Sequence, residues 1–288
     1  MAAPKIAVHL ITWGADDWKR GLKEAQELGY TACETFTHTA MEYQDDPNGF
    51  LDLLGEYDMA LSALYAGAME GDFHDPDARD DIVDSNAEVA AFLAEIGTDH
   101  IVFGPGSRPD DGPSDHDLQI AAETIDAAAA RCIDLGVTPC VHPHMYTEIQ
   151  DRHEIDYIME HTDDDVVFLC PDSAHLHKAG MDPAEVIRDH GDRVAYAHLK
   201  DVTPEDEDAQ AETFDMDRHD EALPIFCELG LGLVDFAELM AAYDDIGYEG
   251  WLTVEIDQST STPRQSLEIC RDFVETDLEV PIQDVTYR

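Results

Sequence analysis

The stretch Phe168-Leu-Cys-Pro-Asp-Ser-Ala-His-Leu-His177 joins a short apolar run to a carboxylate and two imidazoles. A second stretch of the same kind, Val194-Ala-Tyr-Ala-His-Leu-Lys-Asp-Val202, follows about one helix later in the chain. Short apolar runs that end in polar residues predict buried strands. In parallel sheets, functional side chains gather at the carboxyl ends of the strands. The two stretches therefore predict two neighbouring strands that carry a functional site at their ends.

The alternation of strand and helix extends over the whole chain. Apolar strands are predicted at residues 5–11, 31–36, 60–65, 100–103, 137–142, 166–170, 194–198 and 251–255. Helices are predicted at residues 16–28, 49–57, 78–96, in an alanine-rich segment ending near 135, and at 152–161, 183–190, 235–246 and 263–274. This pattern predicts an α/β protein, a (β/α)8 TIM barrel forming a single domain over residues 1–288, with a doubly wound open sheet as the alternative. Gly230 and Gly232 do not favour the open sheet, because the third glycine and the acidic partner of a dinucleotide site are missing.

The charge of the chain is strongly unbalanced. Its 65 acidic and 16 basic residues leave a formal net charge of −49, and the acidic residues occur in every segment. An acidic surface of this kind is typical of halophilic proteins, in which concentrated salt screens the repulsion. Residues 203–219 form a very acidic segment, which we expect to be an insertion over the barrel mouth and a mobile lid. Nucleic acid and anionic membranes would be repelled, so neither is expected as a partner.

The six cysteines form no Cys-x-x-Cys pair, and several lie within apolar runs. They are expected to be buried thiols in a reducing compartment. No segment has the length of a membrane span or the pattern of a signal peptide, so a cytoplasmic location is predicted. A homo-oligomer is compatible with the sequence.

Polar side chains lie at the carboxyl ends of seven of the predicted strands. Four of them, His142, Asp172, His198 and Glu255, come from four consecutive strands and combine imidazole nitrogen with carboxylate oxygen. This donor set predicts a divalent metal site that favours Mn²⁺, Co²⁺ or Zn²⁺ over Mg²⁺. The metal site is the main functional prediction from the residues themselves.

The motifs Asp172-Ser-Ala-His175, Tyr196-Ala-His-Leu-Lys-Asp-Val202, Gly230-Leu-Gly-Leu-Val-Asp-Phe236 and Tyr248-Glu-Gly-Trp-Leu-Thr-Val-Glu-Ile-Asp257 resemble the xylose isomerase-like TIM barrel superfamily of sugar phosphate isomerases and epimerases. Within it, the inosose dehydratase branch matches best. The resemblance implies a (β/α)8 barrel and a divalent ion held by Asp172, His198 and Glu255. Most of the superfamily carries a glutamate where this chain has His142, so His142, His144 or a water is expected to complete the ligand set.

The resemblance also implies chemistry on a keto-polyol or keto-sugar. Beyond Lys200, few residues near the predicted mouth could bind a phosphate, which favours an unphosphorylated substrate. A metal that holds the ketone oxygen and a neighbouring hydroxyl would stabilise an enediolate. His144, Lys200 as a neutral amine, and Asp257 are the candidate bases, although an ion pair with Asp201 or another nearby acid would explain this scarce lysine equally well. Loss of a hydroxyl from the enediolate makes a dehydratase, the first hypothesis, whereas return of the proton makes an epimerase or aldose–ketose isomerase. A sugar-binding barrel without turnover is the third hypothesis, and a nuclease is disfavoured by the charge.

The substrate contacts are assigned to further residues at the strand ends. His175 is expected to touch the substrate, and Trp13, Glu34 and Tyr65 are placed around it, with Glu34 and Tyr65 favoured as supporting or packing residues. His9 is assigned a structural role.

Overall fold

Eight parallel strands form the barrel in the computed structural model, which describes residues 3–203 and 225–285. The barrel strands are β1 (Lys5–His9), β2 (Ala32–Phe36), β3 (Ala60–Gly67), β4 (His100–Gly104), β5 (Thr138–Val141), β6 (Phe168–Leu169), β7 (Tyr196–Leu199) and β10 (Trp251–Val254). Their order is β6-β5-β4-β3-β2-β1-β10-β7. Isolated bridges from Leu169 to Val194 and from Asp172 to His198 join β6 to β7. The barrel prediction is confirmed, and the open sheet is wrong because the first strand pairs with the last barrel strand.

Ten α-helices are present in the described part of the chain. They are α1 (Gly14–Glu27), α2 (Thr37–Ala40), α3 (Pro47–Glu56), α4 (Arg79–Ile96), α5 (Asp115–Asp134), α6 (Arg152–His161), α7 (Ser173–Lys178), α8 (Pro183–Asp189), α9 (Phe236–Asp245) and α10 (Pro263–Thr276). All eight predicted helices exist, with ends that differ by a few residues. The two short helices α2 and α7 were not predicted, because a single turn after a strand leaves no periodic apolar pattern.

Cysteines and alanines from the strands form part of the interior. Small residues such as Ala7, Ala63 and Cys140 pack there around Tyr196, whose hydroxyl lies 2.7 Å from the Ser62 hydroxyl and accepts from Thr253 at 2.6 Å. All six cysteines are buried and unpaired, as expected from the sequence. The large phenol fills the space that small neighbours leave, and its polar tip is hydrogen-bonded as burial requires.

Two short strands, β8 (Asp201–Val202) and β9 (Phe226–Cys227), form an antiparallel pair after the end of β7. The Asp201 carboxylate accepts hydrogen bonds from the backbone N–H groups of Val202, Gly230, Gly232 and Val234. A Cβ at position 232 would lie 2.3 Å from this carboxylate, so the close approach requires glycine there. The two glycines therefore anchor a turn. Almost all of the predicted acidic lid at 203–219 lies outside the described residues.

Across residues 3–203 and 225–285, none of the helices combines the length and the apolar character needed to cross a membrane.

Candidate active site

Three predicted ligands, Asp172, His198 and Glu255, come together at the carboxyl ends of β6, β7 and β10. One ligand atom from each lies within 4.8 Å of the others, and all three residues are buried. His198 Nδ1 lies 2.7 Å from Glu255 Oε2 and 3.8 Å from Asp172 Oδ2. Asp172 Oδ2 has no hydrogen-bond donor among the described residues, and Glu255 Oε2 faces His198 Nδ1. Two buried carboxylate oxygens around one imidazole nitrogen fit a cation, so the residues present suit a metal.

Asp172 is held in place by the start of α7. Its Oδ1 accepts hydrogen bonds from the backbone N–H groups of Ala174 at 2.8 Å and His175 at 2.9 Å. These two bonds form the N-cap of the helix and leave Oδ2 directed away from it. Burial raises the pKa of Asp172 to about 7, which marks the cost of keeping this carboxylate charged without a cation beside it.

Glu34 supports His198. Its Oε2 lies 2.9 Å from His198 Nε2, and both side chains are fully buried. In the metal-bound state, a proton on Nε2 donated to Glu34 would leave the lone pair of Nδ1 facing Asp172 and Glu255, as in the carboxylate–histidine pairs behind metal ligands. Glu34 is absent from the cavity wall, so its expected supporting role fits better than a contact with substrate.

His142, the fourth predicted ligand, lies beside this cluster but does not belong to the group of three residues whose ligand atoms lie within 4.8 Å of one another. Its ring centroid is 4.7 Å from that of His198, and neither of its nitrogens has a hydrogen-bond partner among the described residues. Its ligand atoms group instead with Cys170 and His198, or with His144 and His175. Burial lowers the pKa of His142 well below its ordinary value, so its ring is neutral and carries a lone pair.

The charges of the cluster balance one another in the absence of an ion. Burial opposes the charge of His198, but Glu34 and Glu255 raise its pKa well above the ordinary value. Burial likewise opposes the charge of Glu255, but Lys200 and His198 lower its pKa well below the ordinary value. Without an ion, the proton on His198 supplies positive charge beside the carboxylates of Glu34 and Glu255. A bound cation would take its place on Nδ1.

Lys200 is an ammonium, which corrects the prediction that it is a neutral base. Its Nζ lies 3.0 Å from Glu255 Oε1 and forms a short ion pair with Asp257. Burial by itself lowers the pKa of Lys200, but Asp257, Glu255 and Asp172 raise it above its ordinary value. A fully buried amine with two carboxylate partners keeps its proton, so Lys200 is unsuited to abstract one.

A cavity of about 310 Å³ opens beside the cluster. Its wall is formed by His9, Ile11, Phe36, Tyr65, His142, His144, Met145, His175, Phe226, Glu255 and Asp257. His144 Nδ1 lies 2.7 Å from the carbonyl oxygen of Met145, so the proton sits on Nδ1 and the lone pair on Nε2. One cavity is therefore lined by four of the side chains that the sequence placed at the strand ends: Tyr65, His144, His175 and Asp257.

Two side chains differ from the expectations. Trp13 packs on α1, where its indole donates to Glu24 Oε2 at 2.8 Å, and it is absent from the cavity wall. Its placement argues against a contact with substrate. His9 does line the cavity, and its Nδ1 accepts from the backbone N–H of Ile11 at 3.0 Å. The predicted strand extended to residue 11, whereas β1 ends at His9, and this difference explains why the sequence did not point to His9.

Comparisons with known proteins agree with this architecture. The family model for the xylose isomerase-like TIM barrel matches residues 22–273. Inosose dehydratase of Geobacillus kaustophilus (strain HTA426) is 25% identical over 94% of both chains. The fold is shared with the IOLI protein with a binding zinc atom, at a TM-score of 0.77 and 16% identity over 97% of this chain and 100% of that one. It is also shared with L-ribulose 3-epimerase, at a TM-score of 0.74 and 18% identity over 97% and 95%. The chain belongs to the xylose isomerase-like TIM barrel family.

Proposed function

We propose that the protein is a metal-dependent dehydratase acting on a small, uncharged keto-polyol of the inosose type. The observation that carries the proposal is the buried group of Asp172, His198 and Glu255 beside a cavity that also presents His144 and Asp257. Full-length similarity to an inosose dehydratase supports the reaction class.

Asp172, His198 and Glu255 are the proposed metal ligands, with His142 as the nearest additional donor. Mixed nitrogen and oxygen donors suit Mn²⁺, Co²⁺ or Zn²⁺. A zinc atom in the related IOLI structure is consistent with this choice. When bound, such an ion supplies Lewis acidity that polarises a carbonyl oxygen.

His144 is the proposed base. Its Nδ1 is committed to the Met145 carbonyl, so Nε2 offers a lone pair to the substrate. Burial lowers the pKa of His144 to about 4, and the nearby Lys200 charge acts in the same direction, so the ring is neutral near pH 7. Nε2 takes the proton from the carbon next to the ketone, and the electrons of that C–H bond form a carbon–carbon double bond while the C–O bond on the following carbon breaks. The departing hydroxide takes the proton now carried on Nε2 and leaves as water.

The charge of the site favours an uncharged substrate. Among the described residues, no lysine or arginine lines the cavity wall. Lys200 lies behind the wall and is engaged by Glu255 and Asp257. A phosphate or carboxylate on the substrate would meet Glu255 and Asp257 without a free cation to bind it.

An epimerase is the second candidate, because an L-ribulose 3-epimerase shares the fold. Purified protein would be incubated with Mn²⁺ and 2-keto-myo-inositol in concentrated KCl, and the absorbance of the enone product followed. Asp172→Asn and Glu255→Gln are the matched negative controls. Interconversion of ketoses without enone formation would reject the dehydratase in favour of the epimerase. If both variants leave metal content and activity unchanged, the metal-dependent mechanism is lost.

A further inference from the structure

Lys200 has three polar neighbours for its three ammonium protons. They are Glu255 Oε1 at 3.0 Å, Asp257 Oδ1 in a short ion pair, and His175 Nε2 at 3.2 Å. The side chain is fully buried, and the face of Phe226 lies 4.3 Å from Nζ. An ammonium group only donates hydrogen bonds. His175 Nε2 must therefore act as an acceptor in this contact.

This contact decides the tautomer of His175. A neutral imidazole carries one proton, and when Nε2 accepts, that proton sits on Nδ1. The Lys200 ammonium 3.2 Å from Nε2 leaves no room for a proton on that nitrogen, so the ring carries a single proton and is neutral. The Phe226 ring packs edge-on against the His175 ring with 5.0 Å between the ring centroids, and the centroid of the His144 ring lies 3.7 Å from that of His175. The ring is thus held on several sides.

The remaining nitrogen, Nδ1, is buried and has no hydrogen-bond partner among the described residues. His175 lines the cavity. A buried N–H without an acceptor is costly, so an oxygen of a bound molecule is the partner that this geometry calls for. The same cavity wall presents His144, whose Nε2 carries a lone pair and can accept a hydrogen bond. The two histidines therefore offer one substrate a donor, His175 Nδ1, and an acceptor, His144 Nε2.

We propose that Lys200 is a positioning residue that holds His175 with its proton on Nδ1, so that His175 donates a hydrogen bond to a hydroxyl or carbonyl oxygen of the substrate. The substrate part of this inference rests on the proposed function, whereas the tautomer does not. A competing arrangement would bind a second ion between His142, His144 and His175, whose nitrogens come within 4.8 Å of one another. The ammonium disfavours it, because an Nδ1 that carries a proton offers no lone pair.

The tautomer can be tested without any activity. Nitrogen and proton correlation spectra of full-length protein with isotope-labelled histidine rings distinguish a protonated from an unprotonated ring nitrogen. The His175 signals are those that disappear in His175→Gln. We expect a protonated Nδ1 and an unprotonated Nε2 in the wild type, and loss of this pattern in Lys200→Met. Lys178→Met, which removes the other lysine near His175 in sequence, is the matched control and should preserve it.

Two spectral outcomes would overturn the proposal. One is a proton on Nε2 in the wild type, and the other is an unchanged pattern in Lys200→Met. The spectra are repeated with Zn²⁺ added. A zinc-dependent loss of the Nδ1 proton would also overturn it and would place an ion on the three histidines. If the wild type shows the expected tautomer but turns over no keto-polyol, the proposed function fails and the tautomer assignment stands.

The donor role is tested with two amides of different reach. Asparagine places its N–H group near the position of Nδ1, whereas glutamine places it near Nε2. For 2-keto-myo-inositol, we expect KM of His175→Gln to exceed that of His175→Asn by about tenfold, the value of one hydrogen bond. Equal KM values in the two variants would contradict donation from Nδ1.

Discussion

Replacement of Glu34 by glutamine should weaken metal binding although Glu34 is no ligand. The carboxylate faces His198 Nε2 at 2.9 Å in a fully buried pair. A hydrogen bond to a charged group contributes about 1.5–3 kcal/mol, and loss of a partner behind a ligand reduces metal affinity about 10–100-fold. We therefore expect the Kd of Glu34→Gln for Zn²⁺ to rise by about 10–100-fold, measured by competition with a chromophoric chelator.

The loss of Zn²⁺ affinity in Glu34→Gln should depend on pH in one direction. In the absence of metal, Glu34 raises the pKa of His198, so a proton competes with the ion for Nδ1. Glu34→Gln removes part of that competition, which offsets some of the lost affinity at low pH. The difference between wild type and variant should therefore grow as the pH rises.

Glu228→Gln provides the matched control. Glu228 is also a buried carboxylate, but it accepts from the hydroxyls of Thr260 and Ser266 away from the ligands. Its metal affinity should equal that of the wild type. If Glu34→Gln also binds Zn²⁺ like the wild type while circular dichroism shows an intact fold, Glu34 does not orient His198 and the proposed ligand geometry is wrong.

Three further outcomes are expected. Trp13→Phe should lower the free energy of unfolding by about 1 kcal/mol through loss of the bond to Glu24, and a large rise in KM would instead place Trp13 at the substrate. The hydrogen bond between His74 and Glu148 raises the pKa of His74 in the folded protein, so its contribution to stability is present below pH 6.5 and is lost as the pH rises through the pKa of the folded state. Urea titrations of His74→Asn should therefore show a stability that depends less on pH than that of the wild type. With a net charge of −49, the Tm should rise between about 0.1 M and about 3 M KCl, and a Tm independent of salt would contradict the halophilic interpretation.

The barrel and the meeting of Asp172, His198 and Glu255 could be predicted because both follow from local patterns at the strand ends. Asp172 and His198 each end an apolar run, and a parallel barrel brings such ends to one face. The partners of these ligands could not be predicted in the same way. Glu34 and His198 are separated by 164 residues, and only the closure of the barrel makes them neighbours.

Of the two predictions for Lys200, the structure favours the ion pair with a nearby acid over the neutral base, and the sequence could not identify that acid for a similar reason. The sequence shows a scarce lysine beside an aspartate, Asp201, which suggested a reactive amine or a local ion pair. In the structure Asp201 turns to the backbone of the 230–234 turn, and Lys200 meets Glu255 and Asp257 from the last barrel strand. Alternation of side chains along an extended segment sends neighbouring residues to opposite sides. Two distant carboxylates therefore determine the state of the amine.

The shortest strand of the barrel gives the proposed metal a mechanical role. β6 contains two residues and is joined to β7 by two isolated bridges, one of which is formed by Asp172 and His198 themselves. An ion bound by these two residues would link the β6 and β7 strand ends at a junction that isolated bridges otherwise hold. An ion that binds only the folded barrel stabilises the folded state by mass action. Added Zn²⁺ should therefore raise both the Tm and the resistance to proteolysis, and a stability that does not respond to the ion would contradict this role of the proposed metal.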